Sequence, residues 1–188
     1  MKKITVPDAI TFIRIIGAAV LLFLKFNSLV FLTVYTVCGI SDVIDGTVAR
    51  ATGTQSEGGA RLDSIADLIF YSVMLIKAIP SLFGNVDNSV WIFACAVLLV
   101  RISSYIVAAI KYRCFSSVHT YLNKLTGFAV FILPYLLYVT KNHTPVCLTV
   151  CAIGITASAE EFAIHIVSSE YTQANKTLIS AIKNRQPH

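Results

Sequence analysis

DVIDGTVARATGTQSEGGARLDSIAD, residues 42–67, is the stretch on which the reading of this chain turns. It holds four aspartates, Asp42, Asp45, Asp63 and Asp67, in a chain with only 10 acidic residues, and long apolar runs lie on both sides. Carboxylates of one sign repel, and placing them close to lipid is costly. A divalent cation is the simplest compensation. Asp42 and Asp45 are three apart and Asp63 and Asp67 four apart, so each pair shares a helix face. Gly53, Gly58 and Gly59 lie between the pairs and allow a reversal between two antiparallel helices. The two acidic faces then meet in one pocket. Clustered carboxylate oxygens suit Mg²⁺ or Mn²⁺, and the stretch contains no Cys or His for zinc.

Outward from this stretch the chain is apolar. Of its 188 residues 56% are hydrophobic and 13% charged, and the mean hydropathy is +0.74. A soluble domain carries roughly 25% charged residues. The fold class expected is all-α, an integral membrane bundle of six transmembrane helices. The spans run from about residue 9 to 26, 29 to 50, 60 to 79, 90 to 110, 124 to 139 and 146 to 167, close to the lengths that cross a hydrocarbon core of about 30 Å. Asp63 and Asp67 fall in the opening turns of the third span, where a helix macrodipole favours acidic groups. Asn27-Ser28, a loop from Pro80 to Asn88, the polar connection 111–123 and the turn 141–145 separate the spans. The division expected is residues 1–168 as the transmembrane domain and 169–188 as a basic cytoplasmic tail.

Charge orients the bundle. With the N-terminus in the cytoplasm, the inner side collects Lys2, Lys3, Arg50, Arg61, Lys111, Arg113, Lys124, Lys176, Lys183 and Arg185, and the outer side only Lys25, Lys77 and Lys141. This is a positive-inside bias. It expects a multi-pass protein of the cell membrane whose acidic pocket faces the cytoplasm at headgroup depth. The net charge of +5 thus reflects topology, and no nucleic-acid partner is expected. The scattered cysteines, Cys147 and Cys151 included, read as packing residues.

A carboxylate-held metal at a membrane surface points to phosphate chemistry, because paired cations can clamp a diphosphate. Gly46 leaves room for a flat group beside the backbone, Ala49 is small, Arg50 can pair with a phosphate, and one carboxylate can serve as general base toward a hydroxyl. The residues alone therefore describe a metal-dependent phosphotransferase acting on an amphiphilic diphosphate. The other reading is a cation transporter built on intramembrane carboxylates, although no inverted repeat is visible.

The spacing D-x2-D-G-x2-A-R-x8-G-x3-D-x3-D, filled here by Asp42, Asp45, Gly46, Ala49, Arg50, Gly59, Asp63 and Asp67, resembles the signature of the CDP-alcohol phosphotransferases. The resemblance implies a six-helix homodimer that moves a phosphatidyl group from CDP-diacylglycerol to a small alcohol and releases CMP. It implies that Asp42, Asp45, Asp63 and Asp67 ligate the metals, Mg²⁺ or Mn²⁺ and two ions, with Asp67 also the base. It assigns Gly46, Ala49, Arg50, Ser56 and Gly59 to the CDP moiety. The opening P7-D8-A-I-T11-F-I-R14 resembles the family's P-N-x-x-T-x-x-R, with Asp8 in place of Asn.

Cues to the acceptor conflict. L62-D63-S64-x-A66-D67 resembles the phosphatidylserine synthase version of the motif, and T11-x-x-R14 the phosphatidylglycerophosphate synthase one. A phosphorylated acceptor needs a basic pocket, for which Arg101, Arg113 and Lys124 are candidates. The expectation leans to glycerol 3-phosphate, with serine and inositol phosphate open. Arg14 reads either as a snorkelling residue or as part of the site. Arg101 reads as a substrate contact or as a partner of Glu160 or Glu161, which are themselves expected to brace basic side chains.

Overall fold

A computed structural model describes residues 6–52, 57–112, 120–168 and 177–185. All regular structure among them is helical, and the chain divides into two compact units, residues 1–85 and 86–188.

The first unit holds α1 (Val6–Phe23), α2 (Leu29–Thr52) and α3 (Glu57–Leu82), and α1 packs against both of the others. Pro7 sits in the first turn of α1, where no intrahelical N–H is required. The turn at Asn27-Ser28 is as expected. Asn27 takes a left-handed φ of 62°, a conformation asparagine tolerates better than most residues. The Ser28 hydroxyl then accepts the Phe31 N–H at 3.2 Å and caps α2. The core joins Ala18 and Leu21 of α1 to Phe31, Leu32, Tyr35 and Cys38 of α2 and to Ala66, Phe70 and Val73 of α3. Tyr35 stacks on Phe70 with centroids 5.5 Å apart. The α1–α2 crossing is close at Gly17, where the Cys38 sulfur fills the space a Cβ would take.

α3 departs from the sequence reading at both ends. It starts at Glu57, so Gly58 and Gly59 belong to its first turn rather than to the reversal, and Gly53 lies outside the described residues. It also runs through Pro80 to Leu82. The expected loop from Pro80 to Asn88 therefore shrinks to residues 83–87, because a proline in a last turn removes only one helical hydrogen bond. Gly84, with φ of 82°, breaks the chain direction. The longer N-terminal end puts Asp63 and Asp67 beyond the first turn, where the macrodipole has faded. What holds these carboxylates is a side chain of α1.

The second unit holds α4 (Asn88–Tyr112), α5 (Tyr121–Val139), α6 (Thr144–Val167) and α7 (Leu178–Arg185), with α6 packed against the other three. One stripe of α6 is buried: Cys147, Gly154, Ala157, Ser158, Glu161, Ile164 and His165. Its small members let helices approach closely; a Cβ on Gly154 would touch Val97 of α4 at 3.4 Å and Thr126 of α5 at 3.9 Å. Thr120 caps α5 by accepting the Asn123 N–H. Lys111, in the last turn of α4, donates to the carbonyls of His165 and Ile166, both at 2.8 Å, and so supplies the cation that a helix C-terminus favours. Within the stretch expected as a tail, α7 buries Ala181 against Ile164, with Leu178 beside them. Cys38, Cys95, Cys147 and Cys151 are free thiols.

Among the described residues four helices are long and apolar enough to cross a membrane: 65–82, 88–112, 121–139 and 144–167. The apolar parts of α1 and α2, Ala9–Phe23 and Leu29–Asp42, are shorter. At 1.5 Å per residue they extend roughly 20 Å. Large apolar side chains such as Ile16, Phe23, Leu68, Leu75, Leu99 and Ile110 point outward. Exposure on this scale suits a lipid solvent and not water, and the chain is an integral membrane protein.

Candidate metal centre

Three helices of the first unit converge on one acidic cluster. α2 brings Asp42, and α3 brings Asp63 and Asp67 one turn apart. One carboxylate oxygen from each comes within 4.8 Å of the others. The convergence expected of Asp42 with Asp63 and Asp67 is thus present.

At the focus lies a group from α1. Arg14 is 1% exposed, and its Nη1 lies 2.9 Å from Asp42 Oδ1, 2.9 Å from Asp63 Oδ1 and 2.6 Å from Asp67 Oδ1. Close charged pairs of this kind are short and strong. The three carboxylates are each about 40% exposed, between 39% and 45%, so they keep an open side for a ligand while Arg14 closes the inner side. Helix α1 is fixed against α2 and α3 both by this contact and by the Gly17–Cys38 crossing one turn away.

The donor set fits a hard divalent cation. Carboxylate oxygens are the ligands Mg²⁺ and Mn²⁺ prefer, and the described cluster sets three carboxylates against one guanidinium. Asp45, Gly46, Ala49 and Arg50 lie on α2 past Asp42, but their side chains are outside the described residues, as is Ser56. Gly59 is in the first turn of α3. Sequence reasoning left Arg14 undecided, and the structure makes it the partner of the cluster.

The residues considered for an acceptor pocket belong to the second unit. Arg101 Nη1 donates to Glu161 Oε2 at 2.7 Å and to Asn123 Oδ1 at 2.8 Å, and Asn123 Nδ2 donates to the same Glu161 oxygen at 2.9 Å. Glu161 is fully buried and Arg101 is 29% exposed. Of the two roles open for Arg101, pairing with Glu161 is therefore the one observed. His165 places Nε2 3.8 Å from Glu161 Oε1. Glu160 differs from the expectation: its Oε1 accepts the backbone N–H of Leu178 at 3.3 Å and so tethers α7. Lys124 is exposed in the first turn of α5, and Arg113 lies outside the described residues.

Comparison with known proteins agrees with the motif. The family model of the CDP-alcohol phosphatidyltransferases matches residues 4–159. The chain belongs to that family, whose members are transferases of substituted phosphate groups, and the transporter reading falls away. A CDP-diacylglycerol–serine O-phosphatidyltransferase of Methanocaldococcus jannaschii is 42% identical over 72 residues, which are 38% of this chain and 33% of the relative. The chain thus matches about a third of that relative's length. No solved structure matches the chain.

Proposed function

We propose that this chain transfers a phosphatidyl group from CDP-diacylglycerol to serine and releases CMP. The observation that carries the proposal is the convergence of Asp42, Asp63 and Asp67 within a chain of this family. Asp42, Asp45, Asp63 and Asp67 would hold the metal, as two Mg²⁺ or Mn²⁺ ions. When bound, such ions supply charge neutralisation at the diphosphate and at the leaving phosphate.

The protein's own groups do the rest. Arg50 pairs with a donor phosphate, and Gly46, Ala49, Ser56 and Gly59 line the CDP moiety. The acceptor hydroxyl oxygen attacks the phosphorus that carries diacylglycerol, and its proton passes to an Asp67 carboxylate oxygen. The phosphorus–oxygen bond of the diphosphate breaks, and its electron pair leaves with CMP. The positive-inside charge bias supports a centre at the cytoplasmic face of a six-span bundle, where a polar alcohol would arrive from water and the acyl chains would stay in the bilayer. The working form is a homodimer.

Serine replaces the leaning toward glycerol 3-phosphate for three reasons. The serine transferase relative is one, and the L62-D63-S64-x-A66-D67 form of the motif is another. The third is that Arg101, one of the three cations expected to bind an acceptor phosphate, is held by Glu161 and Asn123. Labelled CDP-diacylglycerol and Mn²⁺ offered with serine, glycerol 3-phosphate or inositol phosphate test this directly. Labelled phosphatidylserine is the expected product. A phosphorylated product with glycerol 3-phosphate and none with serine would reverse the assignment.

A further inference from the structure

Arg14 has no part in the chemistry above, yet it occupies the centre of the site. We propose that Arg14 is the resident counter-ion of the acidic cluster, and that its guanidinium and a divalent cation compete for the same oxygens of Asp42, Asp63 and Asp67. The inference rests on the reading of that cluster as a divalent-cation site.

Geometry makes the two occupants exclusive. Nη1 is 2.6–2.9 Å from one oxygen of each aspartate. A Mg²⁺, Mn²⁺ or similar ion binds carboxylate oxygens at roughly 2.0–2.6 Å. An ion taking these three oxygens would need the place Nη1 holds, and at such a separation a dication and a guanidinium repel. One must leave when the other enters. The arginine side chain is long and can withdraw, whereas the aspartates are short and fixed to packed helices.

Charge explains why the arrangement exists. Without a metal, the facing carboxylates would push α2 and α3 apart, because like charges this close repel unless a cation offsets them. Arg14 supplies that compensation from α1 and keeps the oxygens gathered. Its single, spread charge offsets the cluster only in part, so a compact double charge displaces it. The site is therefore assembled before the metal arrives, and its affinity for the metal is set lower than three bare carboxylates would give.

The test is Mn²⁺ binding to the purified full chain in detergent, followed by electron paramagnetic resonance, for the wild type, Arg14→Gln, Arg14→Lys and Asp63→Asn. Melting temperatures are recorded with Mn²⁺ and with chelator. Arg14→Gln should bind Mn²⁺ roughly tenfold or more tightly, the size of effect one neighbouring charge has on a carboxylate's affinity for a proton. It should melt lower than the wild type in chelator and recover most of the difference in Mn²⁺. Arg14→Lys keeps the charge on a shorter group and should fall between the two; it decides the matter if Arg14→Gln does not fold. Unchanged or weaker Mn²⁺ binding in the Arg14 variants, with loss of binding in Asp63→Asn, overturns the competition while the metal site stands. Mn²⁺ binding that is the same in the wild type and Asp63→Asn removes the metal site itself.

Discussion

Each unit of the chain holds an arginine against carboxylates, and the two clusters are built on opposite principles. In residues 1–85, Arg14 is almost fully buried and faces three half-exposed aspartates. Among described side chains negative charge is in excess, and the carboxylates are open on one side. In residues 86–188 the proportions reverse. Glu161 is the buried member, Arg101 reaches it from α4, and Asn123 of α5 binds both. Among described side chains Arg101 meets Glu161, the amide bridges them, and His165 Nε2 lies 3.8 Å from the other Glu161 oxygen. A cluster centred on a buried carboxylate ties helices together in a medium that leaves no polar group unsatisfied without cost. An unbalanced, open one has the charge and the oxygen donors that suit a divalent cation.

Substitutions separate the two. The largest effect expected is on Asp67: Asp67→Asn should lower CMP release by about 10²–10⁴-fold, the usual contribution of a positioned general base. Full activity in that variant would remove Asp67 from the base role. In the second unit the damage should appear in stability. Glu161→Gln leaves Arg101 without its counter-charge and should cost about 3 kcal/mol, read by unfolding in detergent, while Mn²⁺ affinity stays at the wild-type value. A shift in Mn²⁺ affinity would mean the Glu161 cluster is not merely structural.

Two smaller effects sharpen the contrast. Gly17→Ala forces a Cβ onto the Cys38 sulfur and should destabilise by about 1–3 kcal/mol. Adding Cys38→Ala should recover most of that loss, and failure of the rescue would deny that the Gly17–Cys38 contact sets the α1–α2 spacing. Asn123→Ala removes the bridging amide and should cost about 1 kcal/mol in the same unfolding assay. It leaves the Arg101–Glu161 pair in place.

Much of this was legible from sequence, for reasons that differ by element. The aspartate spacing carries its own geometry, since positions three or four apart share a helix face wherever the helix packs. Hydropathy placed the helices because apolar runs must be buried in lipid or protein. The missed features depend on partners distant in sequence. Nothing local to Arg14 says that Asp42, Asp63 and Asp67 surround it. The pairing of Arg101 with Glu161 was one of two open readings because an arginine within an apolar run looks the same beside a substrate or a carboxylate. α3 extends past Pro80 because a proline is tolerated in a last turn, and composition alone suggested a break. The stretch 178–185 is polar overall, and its helix follows from a contact of Leu178 and Ala181 with Ile164.

The claim beneath all of this is that the aspartates of α2 and α3 act together, through a bound divalent ion, on a CDP-linked lipid. CMP release from CDP-diacylglycerol with serine, per folded molecule, tests it in three samples: wild type in Mn²⁺, wild type in excess chelator, and Asp63→Asn in Mn²⁺. The account predicts release in the first and a fall of at least about 100-fold in the other two. Equal release in all three would contradict it.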